Sequence, residues 1–143
     1  MDIEVRYQSR GGNTKAVAEI IAKTIGVVAK SIDEPLPKYT DILFIGGGVY
    51  KWDADDMLIE YLKHLDRERV GAVVAFSTTG AMAVTIKRIK EYTKKAGIKV
   101  FDKSLCLKVM LQGHSALGRE GGHLKDQQIK EVENFAKSIL SEC

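Results

Sequence analysis

The sequence predicts an α/β protein: a three-layer, doubly wound, five-stranded parallel sheet with helices on both faces. Three observations predict it. Apolar residues switch between strand and helix spacing about five times along the chain. Two of the strand runs, "DILFIGG" and "VGAVVAFS", are almost continuously apolar, as suits central parallel strands covered on both sides. The chain has 143 residues, 45% of them hydrophobic, which suits one domain with a full core, residues 1–143.

The elements follow in order. Ile3, Val5 and Tyr7 alternate as a strand, and Val17, Ile20, Ile21 and Ile25 then recur at helical spacing up to Gly26. "VVAKSI" is a short second strand, and the two prolines of "DEPLPKYT" make a loop. After "DILFIGG" come a helical stripe of Leu58, Tyr61, Leu62 and Leu65, the strand "VGAVVAFS", and a helix carrying Met82, Ile86, Ile89, Tyr92 and Ala96 that stops at Gly97. "IKVFDKSLCLKVM" reads as the fifth strand, extended or irregular, and Ile129, Val132, Phe135, Ala136 and Ile139 share one face of a closing helix.

Charge is laid out unevenly. The net charge is +3, yet Asp53 to Glu68 holds six acids against two bases, while Lys87 to Lys108 holds eight bases against two acids. The basic half lacks interleaved aromatics and any nucleic-acid motif, so it reads as a solvated face rather than a nucleic-acid surface. Cys106 and Cys143 form no C-x-x-C pair, which argues against a disulfide framework or zinc site. His64, His114 and His123 read as surface residues. Neither a membrane span nor a signal peptide is visible, so the expected location is the cytoplasm, as a monomer or weak dimer.

Doubly wound sheets bind ligands beyond the carboxyl ends of their strands, which directs attention to three connections. In "YQSRGGNTKAV" the residues Ser9, Arg10, Gly11, Gly12, Asn13 and Thr14 join a strand to a helix start. Glycines let backbone amides approach an anion, the helix N-terminus favours negative charge, and Ser9, Asn13 and Thr14 add side-chain donors. Either a monophosphate lies there, or Asn13 merely caps the helix. The second connection, "GGGVYKWD", places Gly47, Gly48, Val49, Tyr50, Lys51 and Trp52 in a loop whose glycines are free to take unusual backbone angles. Tyr50 or Trp52 either stacks on a flat ring or packs on the next helix. In the third, Ser77, Thr78, Thr79 and Gly80 either hydrogen-bond the edge of a heterocycle or cap the following helix. Together the three describe a site for a flat heterocycle carrying one phosphate.

These residues resemble the flavodoxin family. "SRGGNT" is similar to that family's phosphate loop, with Gly11 where a hydroxyl residue is usual. "DILFIGGGVY", "VVAFSTTG" and "GREGGHLKDQQIKEVENFAKSIL" agree with later segments in the same order. The resemblance implies a sheet of strand order 2-1-3-4-5, and the length and uninterrupted fifth strand are similar to the short-chain type. The resemblance also implies FMN bound noncovalently, its 5′-phosphate on Ser9 to Thr14, Tyr50 or Trp52 against the ring, and Ser77 to Gly80 along the pyrimidine edge.

On that basis the expected function is a low-potential electron carrier between redox partner proteins, with no catalytic residue from the protein. The alternative is an FMN-dependent NAD(P)H:quinone, or related acceptor, oxidoreductase of the same fold. A phosphate-binding signalling module ranks third, because the strand ends carry "YQSR" and "IGGG" in place of an acidic cluster. The chain departs from the family in its basic balance, in lacking an aromatic in the third connection, and in Lys51 after Tyr50, where glycine would allow the peptide to flip on one-electron reduction. Gly47 or Gly48 is then the candidate for a flexible peptide, and Asp53 to Glu68 for a local acidic patch.

Overall fold

A computed structural model describes residues 1–50, 53–78, 83–108 and 124–143. The elements are β1 (Ile3–Gln8), α1 (Asn13–Ile25), β2 (Ala29–Ser31), β3 (Thr40–Tyr50), β4 (Asp53–Ala54), α2 (Asp56–Lys63), β5 (Val70–Thr78), α3 (Val84–Lys95), β6 (Lys99–Val100), β7 (Leu105–Leu107) and α4 (Asp126–Ser141). The main sheet is parallel in the order β2-β1-β3-β5-β6, with β7 also pairing with β5. Counting β6 and β7 as one interrupted strand, this is the doubly wound order 2-1-3-4-5.

The strand periodicity explains the layers. Ile42 and Phe44 of β3, with Ala72, Val74 and Phe76 of β5, join Val17, Ile21, Val132 and Ile139 in one core beneath α1 and α4. The alternate residues Leu43, Ile45, Val73 and Ala75 pack with Leu58, Leu62, Ile86 and Ile89 in a second core beneath α2 and α3. Both faces of the central strands are thus covered, which is why their sequences read as continuous apolar runs.

Helix ends follow the sequence signals. Gly26 closes α1 in the left-handed conformation, φ 93°, and the amides of Gly26 and Val27 both donate to the Ala22 carbonyl. Gly97, φ 76°, ends α3 the same way, with Ile98 N–H donating to the Thr93 carbonyl. Asp55 caps α2 by accepting from Met57 N–H at 2.9 Å.

The loop before β3 is fastened by two arginines. Arg6, fully buried on β1, donates to the Glu34 and Pro35 carbonyls at 3.1 Å each and pairs with Glu4 at 2.8 Å. Arg69 donates to the next two carbonyls, Leu36 and Pro37, at 3.0 and 3.2 Å. Four consecutive carbonyls of a segment with two prolines are thereby satisfied without a sheet partner.

Two expectations are corrected. Gly46, Gly47 and Gly48 are not loop residues with unusual angles: β3 continues through them to Tyr50, and only Gly12, Gly26 and Gly97 have positive φ among the described glycines. At Gly46 and Gly47 neighbours need the space: a Cβ would stand 2.3 Å from the Phe76 ring and 2.7 Å from Leu58 Cδ2. The fifth strand, read as extended or irregular and also as uninterrupted, is irregular: it is split into β6 and β7. Between Val100, opposite Val73, and Leu105, opposite Phe76, the edge spends five steps where β5 spends three, so two extra residues leave the ladder around the polar Asp102, Lys103 and Ser104.

Candidate functional site

The first connection, 9–12, leaves the carboxyl end of β1 and turns on Gly12, whose φ of 94° is left-handed. Ser9 Oγ accepts from Gly12 N–H at 3.0 Å and closes the turn. Asn13 is the first helical residue, and the cap position falls on Gly12, which has no side chain, rather than on Asn13 as the capping alternative expected. A helix start of this kind directs backbone donors outward and suits an anion.

At the next residue, Thr14 is 3% exposed, and its hydroxyl lies 2.6 Å from that of Thr78 at the end of β5. Gly48 of β3 sits beside the pair. A Cβ built on it would lie 3.5 Å from the Thr78 carbonyl oxygen and 3.7 Å from Thr14 Oγ1, ordinary contact distances. The first and third connections are therefore hydrogen-bonded to each other across a bare stretch of the strand that leads to the second. The Gly48 carbonyl faces α3 and accepts from Thr85 Oγ1 at 2.9 Å.

The alternation that brings Thr14, Gly48 and Thr78 together sets Gly47 and Ser77 on the opposite face of the sheet. A Cβ on Gly47 would stand 2.7 Å from Leu58 Cδ2. Ser77 is fully buried, its hydroxyl without a partner among the described residues, and it does not cap α3, which starts after Ala83 with no side-chain cap.

The second connection is a hairpin. Val49 pairs with Ala54 and Tyr50 with Asp53 in an antiparallel ladder. Lys51, Trp52, Thr79, Gly80, Met82, His114, His123 and the side chain of Tyr50 lie outside the described residues. The returning arm is held from two sides. Arg88 of α3 pairs with Asp53, Nε to Oδ1 at 3.1 Å and Nη2 to Oδ2 at 3.4 Å. Arg10 of the first connection pairs with Asp55, Nε to Oδ2 at 2.5 Å and Nη2 to Oδ1 at 3.3 Å. The Arg88 hydrogen bond holds the Asp53 carboxyl below its ordinary pKa. The Arg10 hydrogen bond does the same for Asp55, against the opposing effect of burial.

Sequence reasoning missed Asp55, Arg88 and Thr85. An aspartate just ahead of the Leu58 stripe was a readable capping signal, whereas its arginine partner 45 residues away had none. The acidic patch expected from Asp53 to Glu68 is reduced, because Asp53 and Asp55 are both spent on internal pairs.

Among the described residues, no helix is long and apolar enough to cross a membrane. Among solved structures, the chain is similar to a flavodoxin from the domain Archaea at 20% identity, covering 99% of this chain and 98% of that one with a TM-score of 0.71. It is also similar to rubredoxin oxygen:oxidoreductase from Desulfovibrio gigas, at 13% identity and a TM-score of 0.72, where it covers 99% of this chain but only 35% of that one. A third similar structure is an NADH:FMN oxidoreductase in its apo form, at 15% identity, 99% and 90% coverage and a TM-score of 0.64. At these identities the likeness shows the fold alone. Among curated proteins none matches. The family model described as "Flavodoxin domain" matches residues 4–116, most of the chain and all three connections. The chain thus belongs to the flavodoxin family, and that membership implies a flavin cofactor.

Proposed function

We propose that this protein binds FMN noncovalently at the carboxyl edge of its sheet and carries low-potential electrons between redox partner proteins in the cytoplasm. The observation that carries this reading is the buried Thr14–Thr78 hydrogen bond beside Gly48, which gathers three strand ends around a helix start whose cap residue is a glycine. The residues present fit a phosphate-bearing flavin: the left-handed Gly12 turns the chain into the start of α1, whose N-terminus suits an anion, and Gly48 leaves bare the space that a side chain would fill.

In this reading Ser9, Gly11, Gly12, Asn13 and Thr14 hold the 5′-phosphate through backbone amides and hydroxyls. Tyr50 or Trp52 flanks the ring, and Thr78, Thr79 and Gly80 line its polar edge. FMN, when bound, supplies the one- and two-electron chemistry. The protein contributes binding, orientation and exclusion of water, and no acid, base or nucleophile is asked of it. An anionic phosphate held by amide dipoles, with few uncompensated cations beside it, disfavours adding further negative charge to the ring and keeps the potential low.

The test is titration of the protein with FMN, followed by its visible absorbance and fluorescence. Saturable binding, with reduction in two resolved one-electron steps, is the expected result; failure to take up FMN overturns the reading. One observation favours a second reading, an FMN-dependent NAD(P)H:acceptor oxidoreductase. Asp53 and Asp55 are neutralised internally, which leaves less of an acidic rim for docking a basic carrier protein. Steady oxidation of NADH or NADPH by the FMN-loaded protein would establish that alternative.

A further inference from the structure

The family resemblance put Arg10 among the phosphate-holding residues, yet its guanidinium is engaged elsewhere. Asp55 takes Nε and Nη2 in a two-pronged pair. Its carboxylate is 5% exposed, and the same Oδ1 accepts Met57 N–H at the start of α2. Asp55 directly follows β4, the returning arm of the hairpin, whose Asp53 is held by Arg88 of α3. The two acids flanking the buried Ala54 thus bracket the hairpin, one to the first connection and one to the helix after the third.

We propose that Arg10 is a positioning residue rather than a phosphate ligand: anchored by Asp55, it sets the hairpin and the start of α2 at a fixed distance from the phosphate loop, and so fixes the width of the flavin site. The inference rests on the flavin-binding reading above. A two-pronged guanidinium–carboxylate pair fixes direction as well as distance, which a lysine does not. Releasing that guanidinium to a phosphate would strand the buried Asp55 carboxylate and weaken the α2 cap.

The discriminating experiment compares FMN with riboflavin, which lacks the phosphate, on wild type, Arg10→Ala, Arg10→Lys, Asp55→Asn and the Arg10→Ala/Asp55→Asn double variant. Asp55→Asn keeps an oxygen for Met57 N–H, so it loosens the arginine without removing the cap. A positioning role lowers affinity for both flavins by the same factor, roughly tenfold, the size of one coupled contact. Arg10→Lys then behaves like Arg10→Ala, and the double variant is no worse than either single one. A phosphate ligand would instead lose affinity for FMN alone, with Arg10→Lys retaining most of it. That result overturns the proposal, and so does unchanged affinity for both flavins.

A second readout needs no flavin. Trp52, the single tryptophan, immediately precedes Asp53 in sequence and reports on the hairpin. In the apoprotein, Arg10→Ala and Asp55→Asn are expected to shift its emission alike. Unchanged emission overturns the bracket even if FMN binds, whereas a shift in a protein that binds no flavin leaves the bracket standing and removes only the cofactor reading.

Discussion

Gly46 and Phe76 sit side by side on neighbouring strands, and a Cβ built on Gly46 would lie 2.3 Å from the Phe76 ring. The glycine is there so that a fully buried aromatic can lie flat against the sheet beneath α1 and α4. Gly46→Ala therefore forces the ring or the strand to move, with an expected loss of about 1–3 kcal/mol in denaturant unfolding. Gly48→Ala meets only ordinary contacts, so stability should stay within about 1 kcal/mol of wild type. Its methyl would project toward Thr14 and Thr78, and FMN affinity should fall. The contrast separates a packing glycine from a site glycine two residues on.

That distinction was not legible in "GGGVY". Sequence shows three glycines after an apolar strand, and the same letters serve a left-handed turn or a crowded strand. What decides is Phe76, thirty residues later and adjacent only once β3 and β5 pair. Elements set by local chemistry were legible: the 3.6-residue stripes of α1 and α4, the stops at Gly26 and Gly97, the buried runs of β3 and β5. Features that need a distant partner were not. Thr14 and Thr78 could be placed in candidate loops, but not joined. Charge counting found the acids at Asp53 and Asp55, but not that Arg88 and Arg10 neutralise them. The last strand was legible as irregular, but the place of its split was not, because its two extra residues show only against the register of β5.

The Thr14–Thr78 pair yields a double-mutant cycle. Thr14→Val or Thr78→Val leaves the surviving buried hydroxyl without its partner, an expected cost of about 1–3 kcal/mol. Removing both hydroxyls leaves neither stranded, so the double variant should be more stable than the sum of the single effects implies. Urea unfolding of the four proteins measures the coupling. FMN affinity should stay low in the double variant, since apolar replacement restores packing but not polarity.

Arg6 should matter for stability and not for flavin affinity. It is fully buried at the middle of β1, and its three donor nitrogens go to backbone carbonyls and Glu4. Arg6→Met fills much of the volume but abandons the Glu34 and Pro35 carbonyls, an expected loss of about 2–4 kcal/mol. Arg69→Met, its exposed counterpart on the same loop, should cost about 1 kcal/mol or less. If the two variants prove equally stable, the fastening of residues 34–37 from beneath is not what holds that loop.

The two bracketing carboxylates predict the acid limb of the stability curve. Both Asp53 and Asp55 have pKa values below the ordinary aspartate value in the folded protein. A group depressed by folding binds its proton more tightly when unfolded, so its stabilisation is complete above the unfolded value, near pH 4, and drains away as pH falls through the folded one. Stability contributed by the bracket should therefore be flat from neutrality down to about pH 5 and fall steeply below about pH 4. Asp53→Asn and Asp55→Asn should each lower the plateau and make the fall below it shallower. Salt separates them. The Asp53 side chain is 40% exposed and that of Asp55 is 5% exposed, so about 1 M chloride should screen the Arg88 pair far more than the Arg10 pair. Urea midpoints of both variants, measured at neutral and acid pH with and without that salt, check the assignment. Equal salt sensitivity would mean that the Arg10 pair is as wet as the Arg88 pair, and a wet pair cannot hold the hairpin at a fixed distance from the phosphate loop.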